Sequence, residues 1–303
     1  MNIKAYHYPS ATGVCEIYTN VYTPESGIYD TVLVINHGMA EHQERYLDFI
    51  QYLCDNGIAV YMHDMATHGK SNQNYSETGW FGEKDGYKGL VLDLKRNVDF
   101  AKSEEPGKKL IVMGHSMGSF ICRCYTSWYP NDGFDGAIYM GTGGPNPASM
   151  MGGIQGKKTK SKTLDKMTFG SYGKKFDKRT NFEWLTRDRD IVDKYIDDPY
   201  CGFLFTIQGM HDLVDLNVAS NTDEWYAGIP ADAKILLTSG EMDPVGDYGK
   251  GVEKAYQAFC RAGLHDVTIR LYPDGRHEML NELNKDKVYH DILNWINARL
   301  ETL

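Results

Sequence analysis

Short apolar runs alternate with amphipathic stretches along most of the chain. The runs occupy residues 32–35 (VLVI), 58–62 (IAVYM), 110–113 (LIVM), 136–140 (GAIYM), 235–238 (ILLT) and 267–272 (VTIRLY). The central ones show no alternation, the pattern of strands covered on both faces. Between them, apolar residues recur at helical spacing. One such series is Tyr46, Phe49, Ile50 and Leu53, and a second is Tyr87, Val91, Leu94, Val98 and Ala101. Phe120, Ile121, Cys124 and Trp128 follow, then Val252, Tyr256 and Phe259, and finally Val288, Ile292, Trp295 and Ile296. Gly57, Pro106-Gly107 and Gly263 stand where helices should stop. This strand–helix order predicts a mostly parallel sheet with helices on both faces. Residues 1–30 read as an N-terminal antiparallel hairpin, with 14–22 as its stronger strand.

The regular alternation fails once. Roughly ninety residues separate Gly144 from Lys234, where a connection of a few would serve. The stretch opens Gly-rich (141–156), turns basic, then becomes partly helical and aromatic. We expect a core of residues 1–145 and 226–303, with 146–225 inserted as a cap. Residues 151–190 hold eleven Lys and Arg against five Asp and Glu, whereas the whole chain carries a net charge of -9. The overall acidity argues against nucleic acid as a partner. The local basic excess allows transient contact between the cap and an anionic membrane surface. No apolar run approaches the length of a spanning helix. The opening MNIKAYHYPSATG lacks the apolar segment of a secretory signal, so a cytoplasmic location is expected. Six scattered cysteines, among them Cys122-x-Cys124, match no redox or zinc spacing and read as reduced, mostly buried thiols. The sequon at Asn74 then has no meaning. No internal repeat is found, and the sequence is silent on oligomeric state.

Candidate chemistry begins at GHSMG, residues 114–118. This G-x-S-x-G motif directly follows one apolar run and directly precedes a helical series. Strand, tight turn and helix form the setting of a nucleophile elbow. The serine oxygen then stands at a helix N-terminus, where the dipole favours developing negative charge. Ser116 is the expected nucleophile. A serine alcohol needs a base, and the base needs an orienting acid. In this fold the chain order is serine, acid, histidine. Of the histidines beyond Ser116, His211 lies in the insertion, His265 precedes a strand at its wrong end, and His290 lies within the last helical series. His277 follows the turn YPDG (272–275) and precedes that series, so it is the expected base. Asp243, in a turn stiffened by Pro244 just after the run 235–238, is the expected acid. Glu241 and Asp247 are its competitors, and Asp274 stands close in sequence to His277. Two backbone N–H donors should stabilise an oxyanion, those of Met117 and of Met39 in the loop after residues 32–35. His37, Glu41, His42 and Arg45 in that loop, with His115 beside the serine, read as a buried polar network that holds the loop.

Other signals are set aside. The pairs His37/His42 and His63/His68 are each five residues apart, which fits neither HExxH nor a zinc finger. A hydrogen-bonding role is expected for them, and no metal or cofactor. Gly69-Lys70-Ser71 resembles the tail of a phosphate loop, but Asp64 stands where that motif needs glycine, so nucleotide binding is rejected.

Taken together, INHGMAEHQERY (35–46), MHDMATHGKS (62–71), GHSMG, and SGEMDPVG with YPDGRHEMLNE resemble the monoacylglycerol lipase/lysophospholipase-like hydrolases, also grouped with the serine aminopeptidase-type α/β-hydrolases. The likeness covers nearly the whole core; in the insertion only TRDRDIVDKYIDDPY (186–200) is similar. Mammalian lipases of this kind carry a second histidine three residues after the catalytic one, and Leu280 stands in that place. The resemblance implies an α/β-hydrolase fold, a Ser116–His277–Asp243 triad, oxyanion donors at Met39 and Met117, a cap over an acyl pocket, and cofactor-free hydrolysis of a small-molecule acyl ester. Two other readings are a peptidase that removes small N-terminal residues, and a binding protein without turnover.

Overall fold

All six apolar runs become strands of one sheet in the computed structural model, which describes residues 1–72, 77–145 and 158–300. The sequon at Asn74 and most of the Gly-rich opening of the insertion lie outside the described residues. The strands are β1 (Asn2–Pro9), β2 (Glu16–Thr23), β3 (Thr31–Asn36), β4 (Ile58–His63), β5 (Lys109–His115), β6 (Gly136–Met140), β7 (Lys234–Gly240) and β8 (Asp266–Tyr272). They lie in the order β1-β2-β4-β3-β5-β6-β7-β8. β1 and β2 form the expected antiparallel hairpin, and β2 runs antiparallel to β4. All later pairings are parallel.

The unbroken apolar runs follow from burial on both faces. Val32 and Val34 of β3 pack with Tyr61 and Val112 against one helical layer, which holds α2 (Gly86–Glu104), α3 (Met117–Trp128) and α8 (Lys250–Arg261). Leu33 and Ile35 point the other way, with Met113 and Ile138, onto α1 (Leu47–Asp55) and α9 (Lys285–Leu300). A side-chain period of two thus feeds two separate cores. Cys260 is exposed although it lies within an apolar helical pattern, because the buried face of α8 is Val252, Ala255 and Phe259. All six cysteines are free thiols. No helix among the described residues is long and apolar enough to cross a membrane.

The chain crosses from β3 to β4 on one side, then returns to lay β5 on the other. Loops leaving β3 and β5 therefore diverge at their carboxyl ends and open a crevice there, the usual place for a ligand in such a sheet.

The segment between β6 and β7 carries α4 (Lys162–Phe169), α5 (Arg189–Asp197), α6 (Ile207–Ala219) and α7 (Asp223–Ala227). Its later part is rooted in the molecule: Phe205, Met210, Leu216, Trp225 and Tyr226 share one core with α2 and α3. Asp212 of α6 accepts the Tyr87 N–H at 3.1 Å and so caps the first turn of α2 from outside. Burial pushes its carboxyl up to about 7. Arg123 of α3 is fully buried and is offered carbonyl, amide and hydroxyl oxygens. It donates to the carbonyls of Gly143 (2.9 Å) and Ser220 (2.5 Å) and to Tyr226 Oη (3.2 Å), and it stacks on Trp225 at 4.7 Å. One guanidinium therefore ties both ends of the inserted segment to the helix that begins at Ser116.

Arg123→Met removes these donors and leaves several buried oxygens unpaired. We expect a loss of about 3 kcal/mol or more, since hydrogen bonds from a charged donor contribute about 1.5–3 kcal/mol each. It should be read as a lower urea midpoint with unchanged slope. A loss below about 1 kcal/mol would contradict this role for Arg123.

Candidate active site

β5 ends at His115 and α3 starts at Met117, so Ser116 alone makes the turn. Its backbone sits at φ 52°, ψ -121°, a costly region for a residue with a β-carbon. Two glycines make the turn geometrically feasible. A β-carbon at Gly114 would stand 2.1 Å from the Gly118 oxygen, and one at Gly118 would stand 2.3 Å from the oxygens of Asn36 and His37. Strand, helix and the loop after β3 are thus in bare backbone contact. The Ser116 N–H donates to the Met140 carbonyl at 2.9 Å, and its carbonyl accepts from the Ser119 N–H (2.8 Å) and hydroxyl (2.6 Å). With the backbone held, the side chain borders a large cavity. Among the described residues, the Ser116 hydroxyl has no hydrogen-bond partner.

His277 borders the same cavity from the loop after β8. Its Nδ1 lies 3.0 and 2.9 Å from the two carboxylate oxygens of Asp243. An ionised carboxylate only accepts, so Nδ1 carries the proton and Nε2 is left as the basic nitrogen. Asp243 is fully buried and also accepts from Ser239 Oγ and the Val245 N–H, each at 2.9 Å. Burial works against its charge, but His277 and these donors outweigh burial and hold the carboxyl below its ordinary value. The two competing acids, Glu241 and Asp247, face solvent, as does Asp274.

The inserted segment holds the histidine loop. The His277 and Glu278 N–H groups donate to the carbonyls of Trp184 (3.3 Å) and Leu185 (2.7 Å). Arg276 reaches the carbonyls of Glu183 and Thr186. Arg187 pairs with the buried Glu282 at 2.9 Å. Trp184 and His115 flank the His277 ring at centroid distances of 5.0 and 4.7 Å.

A buried network connects the remaining expected residues. One oxygen of Glu41 accepts from the Gly38 N–H (2.6 Å), Tyr46 Oη (2.8 Å) and His115 Nδ1 (3.1 Å), while the other accepts from Arg45 (2.6 Å). Arg45 also forks onto Glu278 at 2.7 and 2.6 Å. His115 Nε2 faces the His277 carbonyl at 3.3 Å. Both ring nitrogens of His115 therefore meet acceptors, which suits the doubly protonated ring. Burial opposes that charge, but Glu41 overcomes it and raises the His115 pKa above 6.5. Glu41 itself is held well below its ordinary value by His115 and Arg45, against the effect of burial. His37 donates from Nδ1 to the Gly38 carbonyl (2.8 Å) and accepts the Met65 N–H at Nε2 (2.9 Å), so burial keeps it neutral. His68 bonds the Ala66 carbonyl and the Ala40 N–H in the same way, and His63 bonds Asn97. The hydrogen-bonding role expected for these histidines is what the structure contains.

Within this frame the N–H groups of Met39 and Met117 have no partner among the described residues, and both residues border the cavity beside Ser116. The cavity measures about 1630 Å³. Its wall is largely apolar, with Phe120, Phe169, Trp184, Phe203, Leu213 and Val214.

Glu278, Tyr195 and residues 183–187 are site-building elements that the sequence reading did not single out. Glu278 is adjacent to His277 and was detectable as the only acid beside it. Tyr195, which stacks under Arg45 at 4.8 Å and bonds the Ala40 carbonyl at 3.0 Å, lay within the one familiar stretch of the insertion. The carbonyls of residues 183–186 that receive the histidine loop and Arg276 are backbone groups, which leave no compositional trace.

A family model described as serine aminopeptidase, S33 matches residues 28–284. The chain belongs to this family. It is an α/β-hydrolase of the monoglyceride lipase-like kind. It is 26% identical over 307 residues to the monoacylglycerol lipase of Mycolicibacterium smegmatis, covering 98% of each chain. It is 24% identical over 287 residues to the monoglyceride lipase of Homo sapiens, covering 93% of this chain and 87% of that one. A thermostable carboxyl esterase from Bacillus coagulans, solved with glycerol, has a TM-score of 0.91 against it at 26% identity, covering 98% of this chain and 99% of that one.

The raised pKa of His115 sets a pH dependence for this α/β-hydrolase. Because its folded-state pKa lies above 6.5, its stabilising contribution is complete below that value and fades as pH rises through the raised one. Thermal melts should show the gap between wild type and His115→Gln narrowing from mildly acidic to alkaline pH. A gap that widens toward alkaline pH would refute a charged His115.

Proposed function

We propose that this α/β-hydrolase cleaves monoacyl carboxylic esters by two-step acyl transfer, with Ser116 as nucleophile, His277 as general base and Asp243 as the acid that orients it. The observation that carries this reading is the buried Asp243–His277 pair opening onto the same cavity as the strained Ser116. His277 Nε2 takes the hydroxyl proton as Oγ bonds to the ester carbonyl carbon. The oxyanion that forms is stabilised by the Met39 and Met117 N–H groups, aided by the N-terminus of α3. His277 then passes its proton to the departing alcohol. Water, activated by the same imidazole, releases the carboxylic acid. Asp243 stays ionised and stabilises the imidazolium. Serine–histidine contacts are commonly loose before substrate arrives, so a partnerless hydroxyl fits a resting site.

The large apolar wall supports an acyl chain as the bound group, and the resemblance to monoacylglycerol lipases and a carboxyl esterase supports an ester as the reacting one. Residues 146–225 would act as the cap over this pocket. The family description raises an aminopeptidase as the alternative. On the cavity lining Glu41 and Glu278 are engaged by Arg45, and Arg179 by Glu183 and Asp193, so a substrate amine would meet Lys166, Lys174, Lys178 and Lys254 against Asp165 and Asp247. That balance disfavours a cationic substrate and favours an ester. The same exposed lysines of the cap, Lys166, Lys174 and Lys178, are our candidates for contact with anionic lipid, since Lys158 is engaged by Glu77 and Lys160 by Thr78.

Ser116→Ala should lower kcat on p-nitrophenyl esters by roughly 10⁴-fold or more. A fluorophosphonate probe should label Ser116 alone in the wild type. Activity near wild type in the variant would overturn the assignment, and faster turnover of aminoacyl amides than of matched acyl esters would favour the peptidase. For the lipid contact, anionic vesicles should sediment the protein at low salt and release it at high salt. Equal binding to neutral vesicles would reject it.

A further inference from the structure

His42 takes no part in the network around Glu41. It lies at the end of the loop after β3, is 6% exposed, and turns its ring toward the inserted segment. There its Nε2 meets Asp198 Oδ2 at 2.8 Å. Cys201 completes a cluster in which the imidazole nitrogen, the carboxylate oxygen and the sulfur all lie within 4.8 Å of one another. Asp198 and Cys201 share one tight turn after α5. The Cys201 N–H bonds the Asp198 carbonyl at 3.0 Å, and the Tyr200 N–H bonds Asp198 Oδ1 at 2.8 Å. Oδ1 is thereby occupied, and Oδ2 is the oxygen presented to His42.

We propose that His42 Nε2, Asp198 Oδ2 and Cys201 Sγ form a binding site for a thiophilic divalent transition metal, zinc foremost, with water as the fourth ligand. The donor set decides the class: one imidazole, one thiolate and one carboxylate suit zinc or cobalt, whereas magnesium and calcium take oxygen only. Charge agrees, because a thiolate and a carboxylate together neutralise a divalent cation. Distances agree as well. Metal–ligand bonds of about 2.0–2.3 Å in a tetrahedron put donor atoms about 3.3–3.8 Å apart. Starting from donors 2.8 Å (His42 to Asp198) to at most 4.8 Å apart, closing onto one ion needs side-chain movements of roughly an ångström, within rotamer freedom. On binding, the Cys201 thiol gives its proton to solvent and the imidazole binds as the neutral ring. Burial pushes the Cys201 thiol well above its ordinary value and Arg45 offsets this only in part, so the metal itself must draw off the proton.

The metal would sit on a seam that matters. The Ala40 carbonyl already accepts the Gly202 N–H and Tyr195 Oη, both at 3.0 Å. A metal bridge between residue 42 and the turn 198–201 would close that seam covalently, two to three residues from the Met39 N–H. It would couple the inserted segment to the loop that borders Ser116.

The test uses the full chain after chelator treatment. Titrating cobalt(II) should produce a thiolate-to-cobalt charge-transfer band that saturates at one equivalent, and zinc should abolish it. Zinc in excess should also raise the melting temperature of the wild type. Cys201→Ser should remove the band. His42→Gln and Asp198→Asn should each weaken binding by more than about 10-fold. Circular dichroism without metal identifies any variant that fails to fold, and the milder Asp198→Asn then stands in for it. Cys260→Ser, which removes an exposed cysteine, should leave the band intact. A wild type with no band and no zinc-induced rise in melting temperature overturns the site. So does a band that survives Cys201→Ser or disappears in Cys260→Ser.

Discussion

A single guanidinium joins the loops around this site. Arg45 lies between Glu41 and Glu278 with contacts of 2.6–2.7 Å, and all three are buried or nearly so. Removing any one would leave an uncompensated charge away from water, at a cost of about 3–5 kcal/mol. The triad is therefore kept together, and everything attached to it is kept in register. Glu41 holds the Gly38 N–H and His115, which positions the loop of Met39 against the turn of Ser116. Glu278 is the neighbour of His277. Tyr195 stacks on the guanidinium and brings in the inserted segment. Electrostatic necessity at one point thus sets the relative positions of four chain segments far apart in sequence.

Strain at Ser116 is the counterpart of that rigidity. A residue held at φ 52° persists only where the surroundings over-determine it. Here the glycine contacts with the loop after β3 and the bond to the Met140 carbonyl supply the constraint. The Met39 and Met117 N–H groups beside this turn have no partner among the described residues. Under the proposed acyl transfer they would be oriented before negative charge develops and would need no reorganisation.

The inserted segment is bound into the site itself. Its backbone at Trp184 and Leu185 receives the N–H groups of His277 and Glu278. Its later helices share the main core and are anchored by Arg123. A segment joined in this way bears directly on the loop of His277, and it meets the loop after β3 again where His42, Asp198 and Cys201 cluster.

The fold was legible in the residues because its signals are local. Unbroken apolar runs mean strands buried on both faces, and β3 with Leu33 and Val34 on opposite sides bears this out. GHSMG between a strand and a helix is equally local, since the two glycines answer to backbone contacts that no other residue could allow. Chain order and turn chemistry were enough to propose His277 and Asp243. Other features depend on pairing across long sequence distances. Nothing near Arg45 announces that its second carboxylate is Glu278, or that Glu41 will meet His115 and raise its pKa. Nothing in residues 183–187 marks a backbone that will receive the histidine loop. Side-chain periodicity and motif spacing report what a segment does with its own neighbours. Which buried charges meet, and which carbonyls are left to accept, is decided only when the whole chain has closed around them.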